Sequence, residues 1–156
     1  MSVKNAYPEL PEIEFKRTKA DMNLVIAFAK SLVGKYTIDT VRMAYAIFRN
    51  ESANGTKGVN NNYAGIQADV GRWKSLPGTP IATCTKVDSG NANRRFLCFS
   101  DQDGYKICFE LLCVKITSRG MVSVDDYFNK WVGNPNATSE HKKNFQSLLN
   151  SAAKVI

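Results

Sequence analysis

The sequence has few of the residues from which metal and redox sites are built. Its 156 residues include four cysteines and one histidine. The spacing of the cysteines contains no C-x-x-C pair, which argues against a zinc site of Cys and His ligands. The histidine, His141, lies between Glu140 and Lys142, so we expect a solvated side chain and discount a Ser-His-Asp or Cys-His mechanism. We predict no metal and no cofactor. The cysteines are Cys84, Cys98, Cys108 and Cys113.

Long hydrophobic runs are absent as well. The longest apolar stretch, Met22 to Ala29, is interrupted by Asn23 and is far shorter than the roughly 20 residues of a transmembrane helix. We therefore expect no membrane span. The first eight residues lack the apolar segment of a secretory signal, so we expect synthesis in the cytoplasm and another delivery route if the protein acts elsewhere. Without such a signal, Cys84 and Cys98 are expected to be free thiols, although a hairpin could bring them together.

Acidic residues are outnumbered by basic ones. Twenty-one Lys and Arg against fourteen Asp and Glu give a net charge of +7, and 44% of the residues are hydrophobic. This composition predicts one globular domain with a polyanionic partner, such as nucleic acid, anionic lipid or bacterial cell wall. Basic residues are dispersed, apart from Arg94-Arg95 and Lys142-Lys143, and no nucleic-acid motif is present. Nucleic acid is therefore the less favoured partner.

Apolar spacing and capping residues predict the elements of an α+β domain with a helical majority. Residues 1–17 are expected to form an N-terminal arm, and residues 18–156 a single domain. Two β-prone stretches, 81–87 and 94–99, predict a hairpin. The predicted helices are 19–33, a second from Thr37 or Asp39 to Glu51, a buried helix from Ser100 to near Gly120, a short one from Ser123 that ends before Gly133, and a last one from Thr138 or Ser139.

Glu51 is the residue that the helical spacing singles out. Val41, Ala44, Phe48 and Glu51 fall at i, i+3, i+7 and i+10 of the second predicted helix, which places Glu51 at the end of its inward face. A carboxyl group there would be partly desolvated, as a general acid near neutral pH requires. The alternative is that the helix frays before Glu51, which then points to water.

Two short motifs follow this helix. They read E-S-A-N-G at 51–55 and N-N-N-Y-A-G-I-Q at 60–67. Together they resemble the bacterial and phage glucosaminidase family of peptidoglycan hydrolases, which belongs to the lysozyme-like superfamily. Its members carry a catalytic glutamate in E-S-x-x-G and then N-N-(aromatic)-x-G-I-(polar). The resemblance continues more weakly through Trp73 and the hairpin to Phe99, and covers about residues 20–120.

This resemblance implies a lysozyme-like fold, mainly helical with a small β-hairpin lobe. It also implies cleavage of peptidoglycan glycan strands, with Glu51 protonating the glycosidic oxygen. Paired asparagines would shape the turn beside the cleft and bind sugar hydroxyl or acetamido groups, and Tyr63 would offer a flat face to a pyranose ring. The substrate-binding residues implied in this way are Asn61, Asn62, Tyr63, Gln67 and Phe99.

Two departures from the family leave the reaction open. Many glucosaminidases carry a second carboxylate on the hairpin in T-x-E, where this chain has Thr83-Cys84-Thr85, and the tyrosine of F-R-x-Y is Phe99 here. Asp88 and Asp69 are the candidates for a second acid. A lytic transglycosylase with a single glutamate needs none.

The class of protein and its delivery are open too. A noncatalytic module that binds cell wall or nucleic acid is the alternative to an enzyme. Which glycosidic bond is cleaved, and therefore whether the enzyme is a glucosaminidase or a muramidase, is also undecided. The N-terminus without a secretory signal suits a phage virion component or a secreted effector.

Overall fold

The computed structural model describes residues 3–87, 93–134 and 136–156. Within these ranges the chain forms helices and two small antiparallel sheets, which confirms the α+β class. In chain order the elements are β1 (Arg17–Thr18), α1 (Met22–Leu32), α2 (Ile38–Glu51), β2 (Gly58–Val59), β3 (Ala82–Val87), β4 (Asn93–Cys98), α3 (Gly104–Arg119), α4 (Val124–Asp126), a π-helical segment (Tyr127–Val132) and α5 (Ser139–Val155). Strand β1 pairs with β2, and β3 pairs with β4.

The helix ends follow from their capping residues. Helix α1 begins later than predicted, because Asp21 accepts the hydrogen bond from the Asn23 backbone N–H, whereas Thr18 belongs to strand β1. The side chain of Thr37 caps α2 by accepting from the Thr40 N–H, as one of the two predicted caps. Helix α3 ends at Gly120, whose φ of +61° suits glycine. The helix predictions are therefore confirmed to within a few residues.

Helix α2 runs through the middle of the helical part. It contacts α1, α3 and α5, and residues on several of its faces are buried. The predicted inward residues Val41, Ala44 and Phe48 are completely buried. Helix α3 is also largely buried, as predicted. Because α2 is enclosed on so many sides, its direction is fixed, and the point where it leaves the core at Glu51 is fixed with it.

The N-terminal segment lies against the rest of the chain. The Ile13 N–H donates to the Thr83 carbonyl, which joins this segment to β3. Tyr7 is buried, and the guanidinium of Arg95 pairs with Glu12 at 2.7 Å. The predicted arm therefore contributes contacts that fix the position of the hairpin.

The predicted hairpin is confirmed on both of its strands. Ala82 pairs with Cys98, and Cys84 pairs with Phe96. Cys84 and Cys98 lie on one face and are free thiols, in a small cluster with Val59 and Ala82 that is separate from the main core. No helix in the described ranges combines the length and the apolar character needed to cross a bilayer.

Candidate active site

A cleft of about 320 Å³ lies where the C-terminal end of α2 meets the two small sheets. Glu51 stands on the helical side, whereas Arg17, Lys57 and Lys86 come from the β side. The structure therefore brings together Glu51, Asn62 and Tyr63 of the predicted site. The residues that line the cleft are Arg17, Glu51, Lys57, Val59, Asn62, Tyr63, Gly65, Lys86 and Phe96.

Glu51 is the last residue of α2, as predicted, but it is not partly buried. The residue is exposed, so the expectation of a desolvated carboxyl is wrong. The inward stripe of the helix continues from Phe48 to Ser52, which is 1% exposed and whose hydroxyl accepts a hydrogen bond from the Gly55 N–H at 2.9 Å. Since four residues come closer to a full helical turn than three, Ser52 takes the buried position and Glu51 lies beside it, at the mouth of the cleft.

Tyr127 holds the carboxylate of Glu51 in place. Its hydroxyl donates to Glu51 Oε1 at 2.7 Å and accepts from Asn50 Nδ2 at 2.8 Å. The Tyr127 side chain is 1% exposed and stacks on the ring of Phe145 at 4.0 Å between centroids. Burial and the negative charge of Glu51 raise the pKa of Tyr127. The phenol therefore keeps its proton and remains a hydrogen-bond donor to Glu51.

Sequence reasoning missed Tyr127. The predicted short helix is present, and Ser123 and Asp126 form the capping box that opens it. Tyr127 begins the π-helical segment directly after this box. The contact with Glu51 joins residues 76 positions apart. A local pattern therefore predicts the helix that carries the tyrosine, but no local signal predicts the partner of its hydroxyl.

The asparagine turn, residues 60–62, is held in place by hydrogen bonds of its own side-chain amides. Asn60 and Asn61 adopt φ values of +47° and +66°, a backbone conformation that asparagine tolerates better than most residues. Asn61 Nδ2 donates to the Phe99 carbonyl at 3.0 Å. Asn62 Nδ2 donates to the carbonyls of Ile66 and Leu97, both at 2.9 Å. Both N–H groups of the Asn62 amide are therefore used within the protein, and Asn62 shapes the cleft rather than offering a donor to a sugar.

Tyr63 presents only part of its ring to the cleft. The residue is 4% exposed, and its ring packs on Phe48 with centroids 5.6 Å apart. A Cβ atom on Gly58 would stand 2.4 Å from Tyr63 Cε1, so glycine is required on the neighbouring strand. The flat exposed face that was expected to bind a pyranose ring is therefore largely covered, because the core needs this ring.

Two other predicted substrate-binding residues lie elsewhere. Phe99 is 1% exposed and belongs to the main core, so the prediction that it contacts substrate is wrong. Gln67 is not among the residues that line the cleft, and its carbonyl accepts from Trp73 Nε1 at 2.7 Å. Core packing accounts for the position of Phe99, and a backbone hydrogen bond accounts for that of Gln67.

A second acid is not found among the cleft residues that the structure describes, where Glu51 is the one carboxylate. Asp88 lies outside the described residues. Asp69 does not line the cleft, and its Oδ2 accepts a long hydrogen bond of 3.5 Å from the Arg95 N–H. Thr85, where the family carries a carboxylate, donates its hydroxyl to Glu12 at 2.7 Å. The described part of the cleft therefore combines one acid with three basic side chains.

Comparison with known proteins adds no relative. No family model matches the sequence, no curated protein is significantly similar to it, and no solved structure resembles this fold at a significant level. The similarity of the motifs at 51–55 and 60–67 to the glucosaminidase family therefore stays a prediction.

Proposed function

We propose that this chain is an enzyme that cleaves the glycan strands of bacterial peptidoglycan, with Glu51 as the general acid. One observation supports this proposal above the others. The carboxylate of Glu51 stands in a cleft and is oriented at 2.7 Å by the buried hydroxyl of Tyr127. A buried phenol needs a partner for its hydroxyl, and here the partner is a carboxylate that lines a cleft, so the same hydrogen bond orients the proposed acid.

The proposed fold is lysozyme-like. Its support is the position of an acid at the end of a central helix, with a small β-hairpin on the far side of the cleft. Helix α2 ends at Glu51, and strands β3 and β4 contribute Lys86 and Phe96 to the same cleft. The motif at 51–55 coincides with this helix end, so the geometry and the sequence motif favour the same residue.

Glu51 is exposed in the structure, so the desolvation that a general acid requires has to come from the glycan that covers the cleft. In the proposed reaction Glu51 then transfers its proton to the glycosidic oxygen as the bond to the anomeric carbon breaks. The electron pair of that bond leaves with the oxygen, and Glu51 becomes a carboxylate. The Tyr127 hydroxyl donates to this carboxylate and stabilises the charge that forms, because a hydrogen bond to an ionised group is stronger than one to a neutral group. Its own second contact, with Asn50, keeps the phenol aimed at Glu51.

The second step has two routes. Hydrolysis through two carboxylates requires a partner about 5 to 9.5 Å from the acid, and Asp88 remains the candidate for that role. In the other route a hydroxyl of the muramyl sugar attacks the anomeric carbon intramolecularly, and Glu51 takes up its proton. This route needs one glutamate, which agrees with the single carboxylate among the described cleft residues. We favour this lytic transglycosylase route.

The test is digestion of purified sacculi, with the released fragments identified by mass spectrometry. Glu51→Gln is nearly isosteric but cannot donate a proton, so we expect activity to fall to the background rate without a change in thermal unfolding. Glu140→Gln, at an exposed glutamate of α5, is the matched control and should digest like the wild type. The chemistry of the new ends separates a glucosaminidase, a muramidase and a transglycosylase, whose products carry anhydro ends.

Two outcomes contradict the proposal. A folded Glu51→Gln variant that digests sacculi at the wild-type rate would remove Glu51 from the chemistry. A wild-type protein that binds sacculi and releases no fragment would instead be a noncatalytic wall-binding module, for which the net charge of +7 is sufficient.

A further inference from the structure

Basic side chains dominate the cleft beside Glu51. Arg17 comes from β1, Lys57 immediately precedes β2, and Lys86 lies on β3, so three separate segments each direct a cation to the same space. Arg94 stands opposite Lys86 in the register of the hairpin, which adds a further basic residue to this edge of the sheet. A cleft lined in this way concentrates a positive potential where the substrate must lie.

The position of Arg17 is fixed by two contacts. Its Nη1 donates to the Lys57 carbonyl at 3.0 Å, and its guanidinium lies over the ring of Phe15, 5.2 Å from the centroid. These contacts use one of the five N–H groups of the guanidinium. The remaining donors of Arg17 are held near Lys57, where two cations can bind one anionic group.

The ion pairs of the described residues lie away from these two cations. Arg95 forms an ion pair with Glu12 of the N-terminal segment at 2.7 Å, and Arg72 forms one with Glu9 at 2.6 Å. Within the part of the chain that the structure describes, neither Arg17 nor Lys57 has an acidic partner. Their charges are therefore available to a ligand.

We propose that Arg17 and Lys57 form a carboxylate-binding subsite beside Glu51, and that the substrate must be an acidic glycan. This inference rests on the proposed function and adds to it a basis for specificity. The carboxylates of peptidoglycan lie on the stem peptides of its muramyl sugars, and on the lactyl groups of those sugars that carry no peptide. Chitin has the same glycosidic backbone without these groups, so it offers nothing to the subsite.

The experiment compares native sacculi with sacculi whose carboxylates have been amidated by a carbodiimide and ethanolamine. Both preparations have the same glycan strands. For the wild type we expect kcat/KM on amidated sacculi to be lower by about tenfold or more, through KM, because charge-assisted contacts are lost. The difference should shrink as salt is added, since screening weakens exposed charges. Soluble chitin oligosaccharides should be poor substrates.

The double variant Arg17→Gln with Lys57→Gln should lose about tenfold on native sacculi and should no longer distinguish the two preparations. Its matched control is Lys143→Gln with Lys154→Gln, at two exposed lysines of α5 outside the cleft. This control removes the same charge and should keep the wild-type preference for native sacculi. An equal loss in the control would mean that net charge, and not the subsite, provides the attraction.

Sedimentation with both preparations measures binding separately from cleavage. If the wild type cleaves native and amidated sacculi equally well, the carboxylate subsite is wrong and the proposed function stands. If it cleaves neither, but binds native sacculi in preference to amidated ones and loses this preference in the double variant, the subsite stands and the proposed function fails. Equal binding without cleavage overturns both.

Discussion

The two sides of the cleft are built in different ways. On the helical side, Glu51 is connected through Tyr127 to a stack of aromatic rings in the main core. On the β side, Arg17 and Lys57 are exposed; Arg17 lies on β1, and Lys57 immediately precedes its partner strand β2, each strand being two residues long. The acid therefore derives its position from the larger of the two hydrophobic clusters among the described residues, whereas the cations derive theirs from backbone pairing and a few side-chain contacts.

The different construction of the helical side and the β side has a functional consequence. Proton transfer requires accurate placement of the carboxylate, because a small displacement of a catalytic group has a large cost in rate. Binding of a carboxylate by long basic side chains tolerates more movement, since charge acts over a distance. We infer that the helical side determines how the glycosidic bond is broken and that the β side determines which glycan is accepted.

Asn60 connects the β side to the asparagine turn. Its Nδ2 donates to the Glu14 carbonyl at 2.9 Å and contacts Cys98 Sγ at 3.4 Å. Its Oδ1 accepts from the Lys16 N–H. The buried side-chain amide of Asn60 therefore joins the N-terminal segment, the asparagine turn and the hairpin through polar contacts.

The largest expected contrast is between two phenylalanines. Phe48 is completely buried in α2 against Tyr63 and Phe109, so Phe48→Ala should lower the free energy of unfolding by about 3 to 5 kcal/mol. Phe96 is partly buried against the small cluster of the β side, so Phe96→Ala should cost about 1 kcal/mol. Urea denaturation followed by circular dichroism measures both. Equal losses would show that the β side belongs to the same cooperative core.

Cysteine labelling tests the same contrast without a mutation. All four thiols are buried, Cys84 and Cys98 in the small cluster and Cys108 and Cys113 in the main core. Burial raises the pKa of Cys108 and of Cys113 to about 12, so almost none of either is the reactive thiolate at pH 8. A hydrogen bond from Cys98 lowers the pKa of Cys84.

We therefore expect iodoacetamide to label Cys84 first and the thiols of α3 at least tenfold more slowly, because a small cluster opens at a lower free energy than a main core. Peptide mapping by mass spectrometry assigns the rates to individual cysteines. The protein denatured in urea, in which all four should react at similar rates, is the control. Labelling of α3 before the hairpin would reverse the assigned order of stability.

The sequence predicted the helical side well, because its signals are local. Thr37 before α2 and Thr138 before α5 are capping residues, and Phe145 and Ala152 on α5 show the helical period. The position of Glu51 at a helix end follows from the same kind of signal. Its exposure does not, because an error of one residue in helical phase exchanges Glu51 with the buried Ser52.

The residues around Glu51 were harder to predict, since their roles depend on contacts between distant parts of the chain. Tyr63 and Phe99 are aromatic in a motif that suggests sugar binding, but the core takes both rings. Nothing in the sequence near Arg17 connects it with Lys57, because β1 and β2 pair across the intervening helices α1 and α2. Local patterns identify the candidate acid, and only the folded chain identifies what surrounds it.

Tyr127→Phe has the smallest expected effect and bears most directly on the helical side. Removing the hydroxyl keeps the stack on Phe145 but leaves Glu51 Oε1 without its 2.7 Å donor. Because Glu51 is exposed, water can replace part of this contact, and we expect kcat on sacculi to fall by about fivefold, a loss of about 1 kcal/mol, with KM unchanged.

The control is Tyr105→Phe, at a partly buried tyrosine of α3, which should leave both constants unchanged. If Tyr127→Phe raises KM and spares kcat, the phenol helps to bind substrate; if it alters neither, Glu51 is placed by its helix alone and the connection to the aromatic stack has no part in catalysis.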